Sequence, residues 1–128
     1  MTSKSAALLL GVIFIAVGLL GFIPNPVVGT GSAIIHADLI HNWVHIVTGA
    51  VFIVAAVMMP GNASLMLKVF GVVYFLIGVW GMVLLGDDGL ANLLGILHVN
   101  AIDNYLHLAL GVVNFLAGML KETQGTPA

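Results

Sequence analysis

Two apolar segments, GVIFIAVGLLG at residues 11–21 and GVVYFLIGVWG at residues 71–81, decide the fold of this 128-residue chain. Glycine occupies the same places in both, and nearly every other residue is aliphatic or aromatic. About 20 apolar residues of helix cross the hydrocarbon core of a bilayer. Each segment lies in a run of that length, and the runs are 5–23, 39–59, 64–85 and 101–120. We therefore predict an all-α polytopic membrane protein, a bundle of four transmembrane helices.

The composition excludes several classes of protein. Hydrophobic residues make up 61% of the chain and charged residues 6%, whereas soluble domains carry about 25% charged residues. We expect a lipid bilayer as the main partner. Nucleic acid is not an expected partner, because the chain has only three cationic residues and no basic cluster. The absence of cysteine excludes thiolate metal sites and thiol catalysis.

A second pair of segments repeats more sharply than the first. HADLIHNWVH at residues 36–45 corresponds to HVNAIDNYLH at residues 98–107, and a glycine follows four residues later in both. A helix, a loop and a second helix thus occur twice. We predict a single integral membrane domain over residues 1–128, made of two tandem parallel repeats at about 5–60 and 64–121.

Several residues of these segments have predicted structural roles. Asp38 and Asn100 precede helices and are typical N-cap residues, since a side-chain oxygen there accepts from a free backbone N–H. Small residues let membrane helices pack closely, which is the role we expect for Gly18, Gly49, Gly78 and Gly111. Residues 91–98, in the second long loop, are predicted to form a short amphipathic helix.

The distribution of charge predicts the orientation. Lys4, Lys68 and Lys121 all fall at the end of the bundle that holds both termini, whereas the two long loops have no lysine. Cationic residues favour the cytoplasmic side of a membrane protein. We expect a multi-pass inner-membrane protein whose N- and C-termini are cytoplasmic and whose histidines lie at the extracytoplasmic end.

Four polar residues form the candidate site. His41 and His45 are four residues apart on one predicted helix, as are Asp103 and His107 on another, so each pair shares a helix face. If the faces meet, the cluster suits zinc, copper or iron, and paired histidines also suit a haem or chlorin. His36 and His98, which would lie above the cluster, are further candidates.

A structural interpretation competes with this one and is favoured. His41 and Asp103 occupy equivalent positions in the two repeats, so they could form a hydrogen-bonded latch between the helices. A proton or solute path is a third interpretation, because ionisable groups inside a membrane often mark such paths.

The paired signatures, His41-Asn42-Trp43-Val44-His45-Ile46 and Asp103-Asn104-Tyr105-Leu106-His107-Leu108, resemble those of a small bacterial four-span membrane family. That family is catalogued as domain of unknown function 4383, and the similarity runs over about residues 7–120. The resemblance implies four helices in a bacterial inner membrane. It implies no activity.

The function that these observations favour is a structural or accessory subunit of a larger membrane complex, with other membrane subunits as partners. The alternatives are a metal- or tetrapyrrole-binding protein that uses the His/Asp cluster, and a small channel or transporter. Motifs of several enzyme classes, such as the P-loop and the metalloprotease H-E-x-x-H, are missing, so an enzyme is disfavoured.

Overall fold

The computed structural model describes residues 1–121, and four helices contain most of them. A 3₁₀ turn at Pro60–Asn62 separates the second helix from the third, and two short strands precede the second helix and two precede the fourth. In chain order the elements are α1 Ser3–Leu20, β1 Val28–Gly29, β2 Ile35–His36, α2 Leu39–Met58, α3 Ala63–Val83, β3 Leu90–Leu93, β4 Leu97–Asn100 and α4 Ala101–Gly118. The prediction of a mainly helical chain is confirmed.

Three of these helical segments are long and apolar enough to cross a membrane: Ser3–Leu20, Leu39–Met58 and Pro60–Val83. The fourth, α4, has the same length as α1 but carries Asp103, Asn104, His107 and Asn114 on its buried side. These polar side chains lower its mean hydropathy. Length and apolar character therefore identify α1, α2 and α3 as candidate membrane spans.

The helices pack as two antiparallel pairs, α1 with α2 and α3 with α4, through glycines that face each other. A Cβ atom added to Gly11 would lie 2.8 Å from the carbonyl oxygen of Gly49, and one added to Gly71 would lie 2.8 Å from that of Gly111. Backbones this close leave no room for a side chain. The two pairs thus make equivalent contacts.

Aromatic rings fill the space between the two pairs. Phe14 of α1 contacts Phe52 and Tyr74, with ring centroids 5.4 and 5.2 Å away. The Tyr74 hydroxyl and Thr48 Oγ1 share a buried hydrogen bond of 2.9 Å that joins α3 to α2. This core lies directly below the polar ends of α2 and α4.

The two long loops form a cap at one end of the bundle. In the first loop, β1 pairs with β2 in parallel, and the Asn25 side chain accepts hydrogen bonds from the backbone N–H groups of Val27 and Val28. In the second, β3 and β4 form an antiparallel hairpin in which Leu90 pairs with Asn100. Asn100 also donates to the carbonyl of Ile34 at 3.0 Å, which joins the loops.

The predicted amphipathic helix at 91–98 is wrong. These residues belong to the β3–β4 hairpin, whose tight turn has positive φ at both Leu94 (58°) and Gly95 (73°) and a hydrogen bond from Ile96 N–H to the Leu93 carbonyl. Such a turn matches the twist of paired strands. Ala91, Leu93 and Val99 are buried together against the top of the bundle, and this burial follows a period of two.

Candidate functional site

Helix capping positions the histidines of the candidate site. Asp38 is the N-cap of α2 and accepts from the His41 backbone N–H, and Asn100 caps α4 by accepting from the Asp103 N–H. Each helix therefore begins at a defined residue, with His41 on the first turn of α2 and His45 one turn later. His107 lies on the second turn of α4.

The structure brings His41, His45 and His107 together into one cluster, called here the histidine triad. One ring nitrogen from each lies within 4.8 Å of the others. The ring centroids of His41 are 4.5 Å from those of His45 and 5.6 Å from those of His107. All three side chains are buried, none more than 5% exposed.

Within residues 1–121, most ring nitrogens of the triad have no hydrogen-bond partner. Both ring nitrogens of His45 are buried and unpaired, as are Nδ1 of His41 and Nδ1 of His107. Buried polar groups are normally paired, because an unpaired one loses its hydrogen bonds to water and gains nothing in return. The triad therefore places three imidazole rings, each with at least one unpaired ring nitrogen, at one point inside the bundle.

Aromatic residues close the triad from below. Phe14 lies edge-on to His45, with centroids 5.9 Å apart, and Tyr74 lies 5.7 Å from His107. The sequence did not indicate that Tyr74 lies beside the triad. Tyr74 aligns with Phe14 in the two repeated segments and differs from it by one hydroxyl group. That difference is the sequence signal that could have identified it.

A cavity of about 200 Å³ lies beside the triad, between α1 and α4. His45 and His107 form part of its wall, and Asp103 also lines it. The remaining lining residues are apolar: Ile13, Phe14, Val17, Ile35, Leu106 and Leu110.

The other candidate residues of the sequence interpretation lie outside the triad. Asp103 is buried, and its carboxylate accepts from the backbone N–H of Asn100 at 3.0 Å in a capping box. Among the hydrogen bonds of residues 1–121, His41 and Asp103 share none, so the expected latch between them is not formed. His36 lies on β2 in the loop cap.

A different acid–base pair joins the two loops. Nδ1 of His98, on β4, lies 3.2 Å from the Asp38 carboxylate. Partial burial raises the pKa of Asp38, but hydrogen bonds from the His41 backbone and the His98 side chain outweigh it and hold that pKa below its usual value. The sequence suggested that His41 joins the two halves of the chain. In the structure His98, on β4 of the loop cap, makes such a contact instead.

The chemistry of the triad is that of a nitrogen-ligand metal site. Neutral imidazole binds zinc, copper, iron and nickel, at about 2.0–2.1 Å for zinc. Nitrogens around a tetrahedral ion at that distance stand about 3.4 Å apart, so an ion would require ring nitrogens that now lie within 4.8 Å of one another to move closer.

Comparison with known proteins adds the family. No curated protein and no solved structure matches the chain. The model of the family described as Domain of unknown function (DUF4383) matches residues 4–120, nearly the whole chain. The chain belongs to that family.

Proposed function

We propose that this chain is an integral membrane protein that holds one first-row transition-metal ion on His41, His45 and His107. The observation that carries the proposal is the convergence of three buried imidazoles, with ligand atoms within 4.8 Å and four ring nitrogens unpaired. Placing unpaired imidazoles in a bundle costs stability. A bound ion would offset that cost by using their lone pairs.

The geometry favours a single ion over a tetrapyrrole. A haem or chlorin uses at most two axial histidines, whereas the ligand atoms of three histidines lie within 4.8 Å of one another here. Zinc, copper and iron suit an all-imidazole site. Asp103 is left as a neighbour of the ion, since its carboxylate already caps α4.

We further propose four membrane spans, with α4 as the fourth, in two tandem repeats. The equivalent glycine contacts of the two helix pairs support the repeats. Burial of Asp103, Asn104, His107 and Asn114 against the bundle supports the fourth span, because polar residues of membrane helices face the protein interior.

The proposed orientation places the termini in the cytoplasm of a bacterial cell, at the inner membrane, and the triad near the outer surface. In support, Ser3 N–H donates to the Lys121 carbonyl, and Lys68 packs beside Gly118, so the three lysines lie at one end. Because the chain has no cysteine, single labels are unambiguous. We expect Ser32→Cys, but not Asn62→Cys, to react with an impermeant maleimide added to intact cells, and the reverse result would invert the orientation.

The roles of accessory subunit and of channel or transporter stay predictions. The apolar outer faces of the helices are equally suited to lipid and to another subunit, and we rank the metal-binding function above both because it rests on a defined cluster.

Metal binding can be tested on the purified protein in detergent. We expect about one equivalent of metal by elemental analysis or, after stripping, one equivalent of Co(II) with the visible bands of a four-coordinate site. His45→Ala and His107→Ala should each lower the Co(II) affinity by at least about tenfold, since each variant leaves only two of the three ligands. His36→Ala is the matched control, a loop histidine outside the triad.

Two results would contradict metal binding by the triad. A protein that binds no Co(II), Zn(II) or Cu, or one whose affinity responds to His36→Ala as strongly as to His45→Ala, would rule out the triad as the site.

A further inference from the structure

The cavity beside the triad adjoins the position where a fourth ligand of the ion would bind. His45 and His107 line it, whereas His41 does not. An ion held by all three rings would therefore sit at the inner wall of the cavity. Zinc sites with three protein ligands keep an open position for water or substrate, in contrast to closed structural sites with four.

The cavity also reaches the outer surface of the bundle. Ile13 of α1 and Leu106 of α4 line it, and their side chains are 44% and 38% exposed. Both residues lie within the helical segments, and Ile35 of the loop cap also lines the cavity. The route from outside to the triad therefore runs sideways between α1 and α4, from the surface that faces lipid.

The lining defines the chemistry of what can enter. In the described part of the chain, nine residues line the cavity, of which six are apolar and none is Lys or Arg. A charged molecule would lose its hydration on entry, and the lining offers no cationic side chain to an anion on its way to the ion. Asp103, the one acid, has its carboxylate bonded to the Asn100 backbone. A neutral molecule soluble in hydrocarbon meets no such cost.

We propose that the metal site of the triad is open to small neutral ligands that enter from the bilayer through the α1–α4 cavity. This inference rests on the proposed metal-binding function and specifies the ligand class of the same site. The volume of about 200 Å³ limits such ligands to small molecules, since an engineered cavity of about 150 Å³ holds one benzene.

The test uses the Co(II)-loaded full chain in detergent, with neutral 1-methylimidazole and anionic azide as probes at pH 8. We expect 1-methylimidazole to change the Co(II) visible bands in the wild type and to bind at least about tenfold more tightly than azide. Val17→Phe, which fills the cavity, should weaken 1-methylimidazole binding by about tenfold and leave Co(II) affinity within about threefold. Val12→Phe is the matched control, on the same helix but outside the cavity lining.

The outcomes separate the two proposals. If Co(II) binds but 1-methylimidazole leaves its bands unchanged, or if Val17→Phe binds it as tightly as the wild type, the open cavity is overturned and the metal site stands. Azide binding as tight as that of 1-methylimidazole would overturn the neutral ligand class. Failure of Co(II) to bind overturns both proposals. Should Val17→Phe not fold, Ile13→Phe at the exposed rim is the second variant.

Discussion

Asp38 and Asn100 stand at equivalent places in the two halves, and both cap a helix, yet they make different second contacts. Asp38 pairs with His98 of the other loop, whereas Asn100 donates to the Ile34 carbonyl. An amide and a carboxylate cap a helix about equally well. The charge of Asp38 is therefore not needed for capping, and its specific contribution is the contact with His98.

We expect Asp38→Asn to keep the cap of α2 but to lose the charged contact, at a cost of about 0.5 kcal/mol, since both partners are partly exposed and screened by solvent. The folded-state pKa of Asp38 is lowered. Its contribution is therefore fully present above the unfolded pKa of about 3.9 and is lost as the pH falls through the lower folded value. Thermal unfolding of both proteins from pH 7 to pH 3 should show curves that converge in acid.

Asp87→Asn, at an exposed position of the turn before β3, is the matched control for this titration. It should leave the acid dependence of the wild type in place. A gap between Asp38→Asn and the wild type that persists unchanged at pH 3 would show that the charge of Asp38 is not the cause.

At the scale of elements, paired glycines set the distance between the helices of each pair. Gly49 faces Gly11, and Gly111 faces Gly71, with backbone against backbone. This close approach also sets the depth of His45 relative to α1 and of His107 relative to α3.

We expect Gly49→Ala and Gly111→Ala each to destabilise the fold by about 1–3 kcal/mol. Alanine gains about 1 kcal/mol of helix propensity over glycine, but a Cβ at Gly111 would lie 2.7 Å from the Gly71 carbonyl oxygen, and backbone cannot move aside cheaply. Thermal unfolding in detergent measures the loss. Gly61→Ala is the control, since its Cβ would meet no atom within 4 Å. Equal stability of all three variants would disprove tight glycine packing.

At the scale of the whole molecule, two helix pairs meet through few polar contacts. The loops are joined by His98 with Asp38, the core by Thr48 with Tyr74, and the opposite end by Ser3 with Lys121. The triad itself spans the two pairs, with two histidines from one and one from the other. Its geometry therefore depends on how the pairs dock.

The hydrogen bond between Thr48 and Tyr74 is the buried one of these contacts, and a double-mutant cycle can measure it. Thr48→Val and Tyr74→Phe should each lower stability, and the double variant should cost less than the sum by about 0.6 kcal/mol, the usual coupling for interhelical hydrogen bonds in membranes. Unfolding in detergent provides the four free energies. Strict additivity would mean that the two hydroxyls do not interact in the folded protein.

The sequence by itself determined the helical class, the approximate ends of the helices and the family. Those properties follow from local and additive features: runs of apolar residues, breaker residues between them and a paired signature. The histidines and Asp103 also emerged from the sequence, because ionisable groups are conspicuous in an apolar chain.

Only the tertiary structure decided which of these residues meet. Helical spacing places His41 beside His45 but does not give the rotation of α4 against them, so the sequence could not show that His107 joins them in the triad while Asp103 accepts from the Asn100 backbone. The hairpin at 90–100 was missed because its burial depends on the top of the bundle, a surface that exists only after the helices pack. Tyr74, the partner of Thr48, lies beside the triad because the two helix pairs pack against each other. Contacts between the two helix pairs depend on distant residues, and no local pattern encodes them.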